Sequence, residues 1–215
     1  MKRSNKLSKI KNEIIKISKL KNKEQTQIKL ALLISEALKL IGINPILVGG
    51  AAVAFYSNNQ YTTHDIDMIV PFNKELNALM KEIGFDKLGK DFVNKDLNLY
   101  VEFPSSSLGP TEIYDKLIIN GIELLIISIE DLIVDRLCAF KFWKSQIDGI
   151  NALILLEIGR DDTARTEERA RQEDVLDALD YLISVQKKII RKKLSKDEAS
   201  ELIQKYSQNK KIKKA

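Results

Sequence analysis

The order of apolar patterns along the chain points to an α/β fold of the α+β kind. A mixed β-sheet core would pack on helices, with N-terminal helices before it and a helical C-terminal region after it. Three observations carry this expectation. Apolar residues recur every three or four positions through the first 40 residues. Between residues 46 and 127 short apolar runs take over, some alternating with period two, punctuated by Gly, Pro and Asn. Beyond residue 128 the helical spacing returns. The expected division is basic N-terminal helices at 1–42, a sheet-bearing core at 43–128 and a helical region with a basic tail at 129–215.

The elements follow in order. Leu7, Ile10, Ile14 and Ile17 form one apolar helical stripe with lysines opposite. Polar residues 21–27 read as a break. Leu30, Leu33, Ile34, Ala37, Leu38 and Ile41 then mark a second helix that Gly42 stops. Pro45 opens a short strand at 46–48. Gly49-Gly50 follows, and 51–56 reads as a short helix. A strand at 66–70 ends at Pro71, and Asn73 is placed to cap a helix running to Ile83 and Gly84. Residues 92–94 and 97–103 read as paired strands. Asn120-Gly121 is a hairpin turn between strands at 117–119 and 123–127. Ser128, with Asp131 three residues on, starts a helix through Phe140. Helices are expected at about 146–158, 166–190 and 196–206.

Composition narrows the function. Of 215 residues, 44% are hydrophobic and 30% charged, enough apolar surface for a core. A single cysteine, Cys138, excludes a disulfide scaffold and a cysteine-built zinc site. A single histidine, His64, excludes any two-histidine metal site. No apolar run approaches the ~18 residues of a membrane span, and lysines interrupt the basic N-terminus, so no membrane partner and a cytoplasmic location are expected. Charge is uneven. Residues 1–40 and 184–215 each hold eleven Lys and Arg against three Asp and Glu, around an acidic middle. Two readings of these ends compete: solvated lysine-rich helix faces, or a footprint for a polyanion such as RNA.

Chemistry concentrates between residues 47 and 70. A short strand runs into Gly49-Gly50, where backbone N–H groups can face a ligand, and the helix that follows presents its N-terminus to the same place. That is a phosphate cradle, although a Gly-Gly alone is as well explained by a tight turn. Asp65 and Asp67 stand two apart in a strand, so they share one face while Ile66, Met68 and Val70 take the other. Two adjacent carboxylates repel and lose hydration, and a magnesium ion removes that cost. In the strand at 97–103 the apolar residues alternate with Asn98, Tyr100 and Glu102, which puts Glu102 on the polar face. Were this strand beside 66–70, three carboxylates would serve two metals in phosphoryl or nucleotidyl transfer.

Gly49-Gly50, a helix, Asp65-Ile66-Asp67 and a separate acidic strand residue together resemble the DNA polymerase beta-type nucleotidyltransferase superfamily, and within it the small prokaryotic branch. That branch includes the nucleotidyltransferase toxins of abortive-infection and toxin–antitoxin systems. The likeness extends through residues 128–140 and 143–156, where Lys144 and Asp148 have the spacing of the family's Lys-x-x-x-Asp element. It spans roughly residues 44–158 and leaves out both basic ends. Two features depart from the pattern. Fourteen residues separate Gly50 from Asp65, a longer loop than is common, and Glu102 stands where Asp is common.

The resemblance implies a nucleotidyltransferase catalytic core at 43–128 that moves a nucleoside monophosphate from a nucleoside triphosphate such as ATP to an acceptor hydroxyl. It implies Asp65, Asp67 and Glu102 as catalytic residues and metal ligands for two Mg²⁺ ions, with Mn²⁺ as a substitute. Gly49 and Gly50 would hold phosphate, and Arg136, Lys141 and Lys144 would neutralise the triphosphate, against the plainer reading of a solvated helix face. Implied partners are the triphosphate, tRNA or another RNA, and a cognate antitoxin. The alternative is a non-catalytic module that binds nucleotide or RNA on the same fold. His64 is expected to pack or touch substrate rather than act as a base. Thr62 and Thr63 close the loop or reach phosphate, and Cys138 and Trp143 read as core.

Overall fold

The structure, a computed structural model, describes residues 2–20, 23–58, 60–61, 63, 65–159, 162–192 and 195–209. The chain forms two compact units, Met1–Ser128 and Ile129–Ala215.

The first unit begins with helices α1 (Lys2–Ser18) and α2 (Lys23–Lys39). Leu7, Ile10, Ile14 and Ile17 are all buried, as are Leu30, Ile34, Ala37 and Leu38. Each buried Leu or Ile side chain contributes about 1.5–3 kcal/mol by leaving water. The expected break at 21–27 is shorter than its polarity suggested, because α2 already starts at Lys23. Thr26 and Gln27 are polar but buried, and both have partners. The Thr26 hydroxyl donates to the Ile17 carbonyl (3.2 Å), and the Gln27 amide donates to the Thr63 carbonyl.

The strands are β1 (Ile46–Val48), β2 (Asp65–Ile69), β3 (Asp86–Leu88), β4 (Asp91–Asn94), β5 (Leu99–Glu102), β6 (Tyr114–Ile119) and β7 (Ile122–Ile127). Between them lie α3 (Gly49–Tyr56), after β1, and α4 (Leu76–Glu82), after β2. They form one sheet in the order β3-β4-β5-β2-β1-β7-β6. β1 is antiparallel to β2 and parallel to β7, and β2 is parallel to β5, so the sheet is mixed. The core fills the face on which Ile66, Met68, Val101 and Leu124 are almost wholly buried. Lys39 ties α2 to β7 through the Glu123 carbonyl (3.0 Å) and carboxylate (3.2 Å).

Asn73 does not cap its helix in the expected way. α4 begins only at Leu76, and the Asn73 side-chain oxygen Oδ1 instead accepts from the Glu75 N–H (2.7 Å) in the turn before it. β3 lies outside the expected elements. Its three residues are all exposed, so no apolar alternation marks it.

The second unit is helical: α5 (Ile129–Phe142), α6 (Gln146–Ile158), α7 (Thr163–Gln172), α8 (Leu176–Lys192) and α9 (Lys196–Asn209). Gly149 lets α6 approach α5, since a Cβ there would lie 2.6 Å from the Phe140 ring. Tyr206 of α9 stacks on Phe140 (centroids 4.8 Å) and on Tyr181 (4.4 Å). The single helix expected at 166–190 is two, α7 and α8, because the backbone turns at Asp174 with φ +54°. Trp143 corrects a second expectation: it is 83% exposed, not core. α5 ends at Phe142, and Lys144 takes φ +60°, which removes Trp143 from the buried stripe. Among the described residues no helix is long and apolar enough to cross a membrane.

Candidate active site

The first unit joins the glycine turn to the carboxylates through strand register. Val48 of β1 pairs with Asp67 of β2, and Asp67 pairs in turn with Glu102 of β5. The glycine turn is therefore one residue from the strand position opposite Asp67. Gly49 has φ +64°, a left-handed conformation costly for any residue with a Cβ. A Cβ at Gly49 would collide with the Asp67 carboxylate, with Cγ only 2.8 Å away. A Cβ at Gly50 would lie 3.0 Å from the Thr63 side chain. Glycine at both positions thus follows from what stands opposite. α3 starts at Gly49 with no side-chain cap at Val48, so no capping side chain covers the N–H groups of its first turn.

Asp65 and Asp67 share the face opposite Ile66 and Met68, both completely buried. Asp65 is exposed, while Asp67 and Glu102 are half-buried. The structure therefore brings Asp65, Asp67, Glu102, Gly49 and Gly50 into one region of one unit. Asp91 of β4, which the sequence reading did not single out, pairs with Glu102 and extends the row. Running across the sheet, Val48, Asp67, Glu102 and Asp91 are consecutive neighbours. Asp91 Oδ1 is buried and has no hydrogen-bond partner. Asp65, Asp91, Asn98, Tyr100, Val101 and Glu102 line a cleft of about 390 Å³.

Lys90, also not anticipated, donates to Glu102 Oε1 in an ion pair. Its ammonium is held above the ordinary lysine pKa, mainly by that hydrogen bond and by the Glu102 charge, with smaller contributions from Asp91 and Asp67. The signal for both residues lay in the stretch 88–91. Gly89-Lys90 is a two-residue link between Leu88 and Asp91, which pair across it, and Gly89 has φ +63°.

The donor set is all oxygen and anionic, which suits a hard divalent cation, and Gly49 keeps the Asp67 carboxylate clear of side-chain bulk. By chemistry the residues fit Mg²⁺ or Mn²⁺. Among the described residues, however, no three carboxylates close tightly enough to hold a metal ion together.

The basic candidates belong to the second unit, where Arg136 and Lys141 have local partners. Arg136 donates to Asp148 (2.8 Å) and pairs with Asp135. Lys141 pairs with Asp177 (3.0 Å) and Asp174 (3.2 Å). Asp148 is held by Arg136 and by the Ser145 hydroxyl at the N-terminus of α6, rather than by Lys144. Lys144 Nζ is buried without a hydrogen-bond partner. The Cys138 thiol is pushed up to about 11, mainly by burial, which disfavours the thiolate. The Tyr56 hydroxyl, at the end of α3, lies 2.8 Å from the Ile127 carbonyl and 2.9 Å from Asp115. His64 and Thr62 lie outside the described residues.

Comparison with known proteins adds the following. Residues 28–214 match the family model described as "Nucleotidyltransferase of unknown function (DUF6036)". No curated protein matches the chain. The crystal structure of an antigenic nucleotidyltransferase-like protein from Paracoccidioides brasiliensis is similar in fold, with a TM-score of 0.52 at 15% identity. That likeness covers 80% of this chain and 91% of the other.

Proposed function

The chain belongs to the DUF6036 nucleotidyltransferase family, and we propose that it transfers a nucleoside monophosphate from a triphosphate to an acceptor hydroxyl with the help of Mg²⁺. The observation that supports this best is the register Val48–Asp67–Glu102, which sets a glycine turn and helix N-terminus against a carboxylate row. In this reading the N–H groups around Gly49 and Gly50 bind phosphate oxygens. Asp65 and Asp67 hold the divalent cation, with Glu102 as the third carboxylate. A bound Mg²⁺, or Mn²⁺ in its place, would supply charge neutralisation for the triphosphate, and the same three carboxylates would serve a second ion. Glu102 accepts the proton of the acceptor hydroxyl. The acceptor oxygen bonds to the α-phosphorus, the bond to the oxygen bridging the β-phosphorus breaks, and pyrophosphate leaves with that electron pair. Arg136, Lys141 and Lys144 remain candidates for contacts to the triphosphate. RNA, with tRNA first, is the acceptor we propose. A toxin role paired with an antitoxin is carried by the resemblance alone and adds no chemistry.

The test combines activity with binding. Each labelled nucleoside triphosphate is incubated with Mg²⁺ and total RNA or cell protein, and labelled acceptor and pyrophosphate are measured. Asp65→Asn and Asp67→Asn should abolish transfer without unfolding the chain. Thermal unfolding with triphosphate and Mg²⁺ should show ligand stabilisation for the wild type, about 2.7 kcal/mol at a hundredfold excess over Kd. Both variants should lose it. A wild type that gains nothing, or variants that gain as much, would overturn the site. Ligand stabilisation without any transfer would favour the non-catalytic binding module.

A further inference from the structure

We propose that Lys90 is a built-in competitor for Glu102. Its ammonium and a divalent cation are alternative partners of one carboxylate, so Glu102 joins Asp65 and Asp67 only when Lys90 releases it. The inference rests on the reading of Asp65 and Asp67 as a cation site.

Three observations carry it. First, the hairpin of β3 and β4 delivers Lys90 to the end of the carboxylate row. Leu88 pairs with Asp91, Asp91 pairs with Glu102, and Lys90 lies in the two-residue turn beside them. Its charge faces Glu102 directly and feels Asp91 and Asp67 as well. Second, the pair is asymmetric in exposure, since the Lys90 side chain is 72% exposed and that of Glu102 22%. Lys90 can therefore swing into water at little cost, whereas Glu102 stays in the row. Third, the carboxylates of the row do not close into a three-donor group among the described residues, while Glu102 is engaged by Lys90. An ammonium and a divalent cation on the same carboxylate repel each other at contact distance, so binding of one disfavours the other. Lys90 would thus keep the row neutralised until a cation, alone or with its triphosphate, takes Glu102 over. It is a positioning residue, acting through Glu102.

The test uses Mn²⁺ alone as the probe on the full chain without nucleotide, with free Mn²⁺ read by electron paramagnetic resonance. Lys90→Gln should bind Mn²⁺ roughly fivefold more tightly than the wild type, the scale of one partly exposed ion pair. Lys90→Arg, which keeps the charge, should stay near the wild type. Lys87→Gln is the control for charge in general: Lys87 lies over the Phe92 ring at 5.9 Å, in the strand paired with β4. It should change affinity by less than about twofold, because it lacks the contact with Glu102. Unchanged or weaker Mn²⁺ binding in Lys90→Gln, or an equal gain in Lys87→Gln, overturns the proposal. Asp67→Asn separates this from failure of the underlying reading. If it binds Mn²⁺ as the wild type does, the cation site itself is wrong. If it loses Mn²⁺ while Lys90→Gln gains nothing, the site stands and the competitor does not.

Discussion

Gly49 carries two requirements at once. Its φ of +64° disfavours any side chain, and the Asp67 carboxylate occupies the space a Cβ would need. Gly49→Ala should therefore cost more than the ~1 kcal/mol of a left-handed alanine alone, and about 2–3 kcal/mol is the expected loss in urea unfolding. The strain falls on Asp67, so triphosphate binding should drop even where the fold survives. Gly89 is a useful contrast, because it also has positive φ but nothing lies within 4 Å of its would-be Cβ. Gly89→Ala should carry only the backbone cost, measured in the same way. Two glycines of similar conformation differ because only one stands against the carboxylate row.

Within the elements, the second unit is held by a buried charge cluster as well as by apolar stripes. The Asp131 side chain on α5 is fully buried and accepts from Arg169 (2.7 Å) and Arg165 (2.7 Å) of α7. Arg169 is itself almost entirely buried. Removing one member leaves a desolvated charge without its counter-ion, which costs far more than a surface pair. Asp131→Ala should destabilise the chain by about 3–5 kcal/mol in urea unfolding. Lys16→Ala, which breaks an exposed pair with Glu13, should change stability by less than about 1 kcal/mol. The same cluster accounts for the shape of the region. α7 is polar along its length and shows no apolar stripe, yet Thr166, Arg169 and Ala170 are buried. α8 has a regular stripe in Ala178, Leu179, Leu182 and Val185, all buried. The turn at Asp174 separates a helix held by ion pairs from one held by apolar burial.

Across the whole molecule the charge is segregated. Lys187, Lys188 and Arg191 are exposed on α8, in line with a solvated face or a phosphate-binding one. The Lys192 side chain and Lys193 lie outside what the structure describes. The proposed RNA acceptor decides between these readings through salt. Single-stranded RNA should bind with log K falling by about 0.7 per phosphate contacted for each decade of salt. Replacing Lys187, Lys188 and Arg191 by Gln should weaken tRNA binding across sequences and reduce the slope by up to about 2, one increment per lost contact. Filter binding at several salt concentrations measures both. Binding that is undetectable at low salt, or insensitive to salt, would leave these residues as solvated surface and turn the search to protein or small-molecule acceptors.

The sequence alone determined what depends on local order. The period-two run Leu99–Glu102, the Asn120-Gly121 turn, the α1 stripe and the shared face of Asp65 and Asp67 are all legible, because alternation and turn chemistry involve only near neighbours. Strand pairing was decided only by the tertiary structure. That Asp67 lies between Val48 and Glu102 follows from a parallel β2–β5 pair whose partner residues are 35 apart in sequence and whose register no local pattern states. Asp91 and Lys90 stayed hidden because β3, whose three residues are all exposed, has no apolar face to announce the hairpin, although β4 itself buries Phe92 and Val93. Thr26 and Gln27 fell in a polar stretch that read as a break and Arg169 in a span that read only as helix, and their burial became possible only because carbonyls and a carboxylate met their donors. Periodicity records which face a residue takes, and packing alone determines what that face meets.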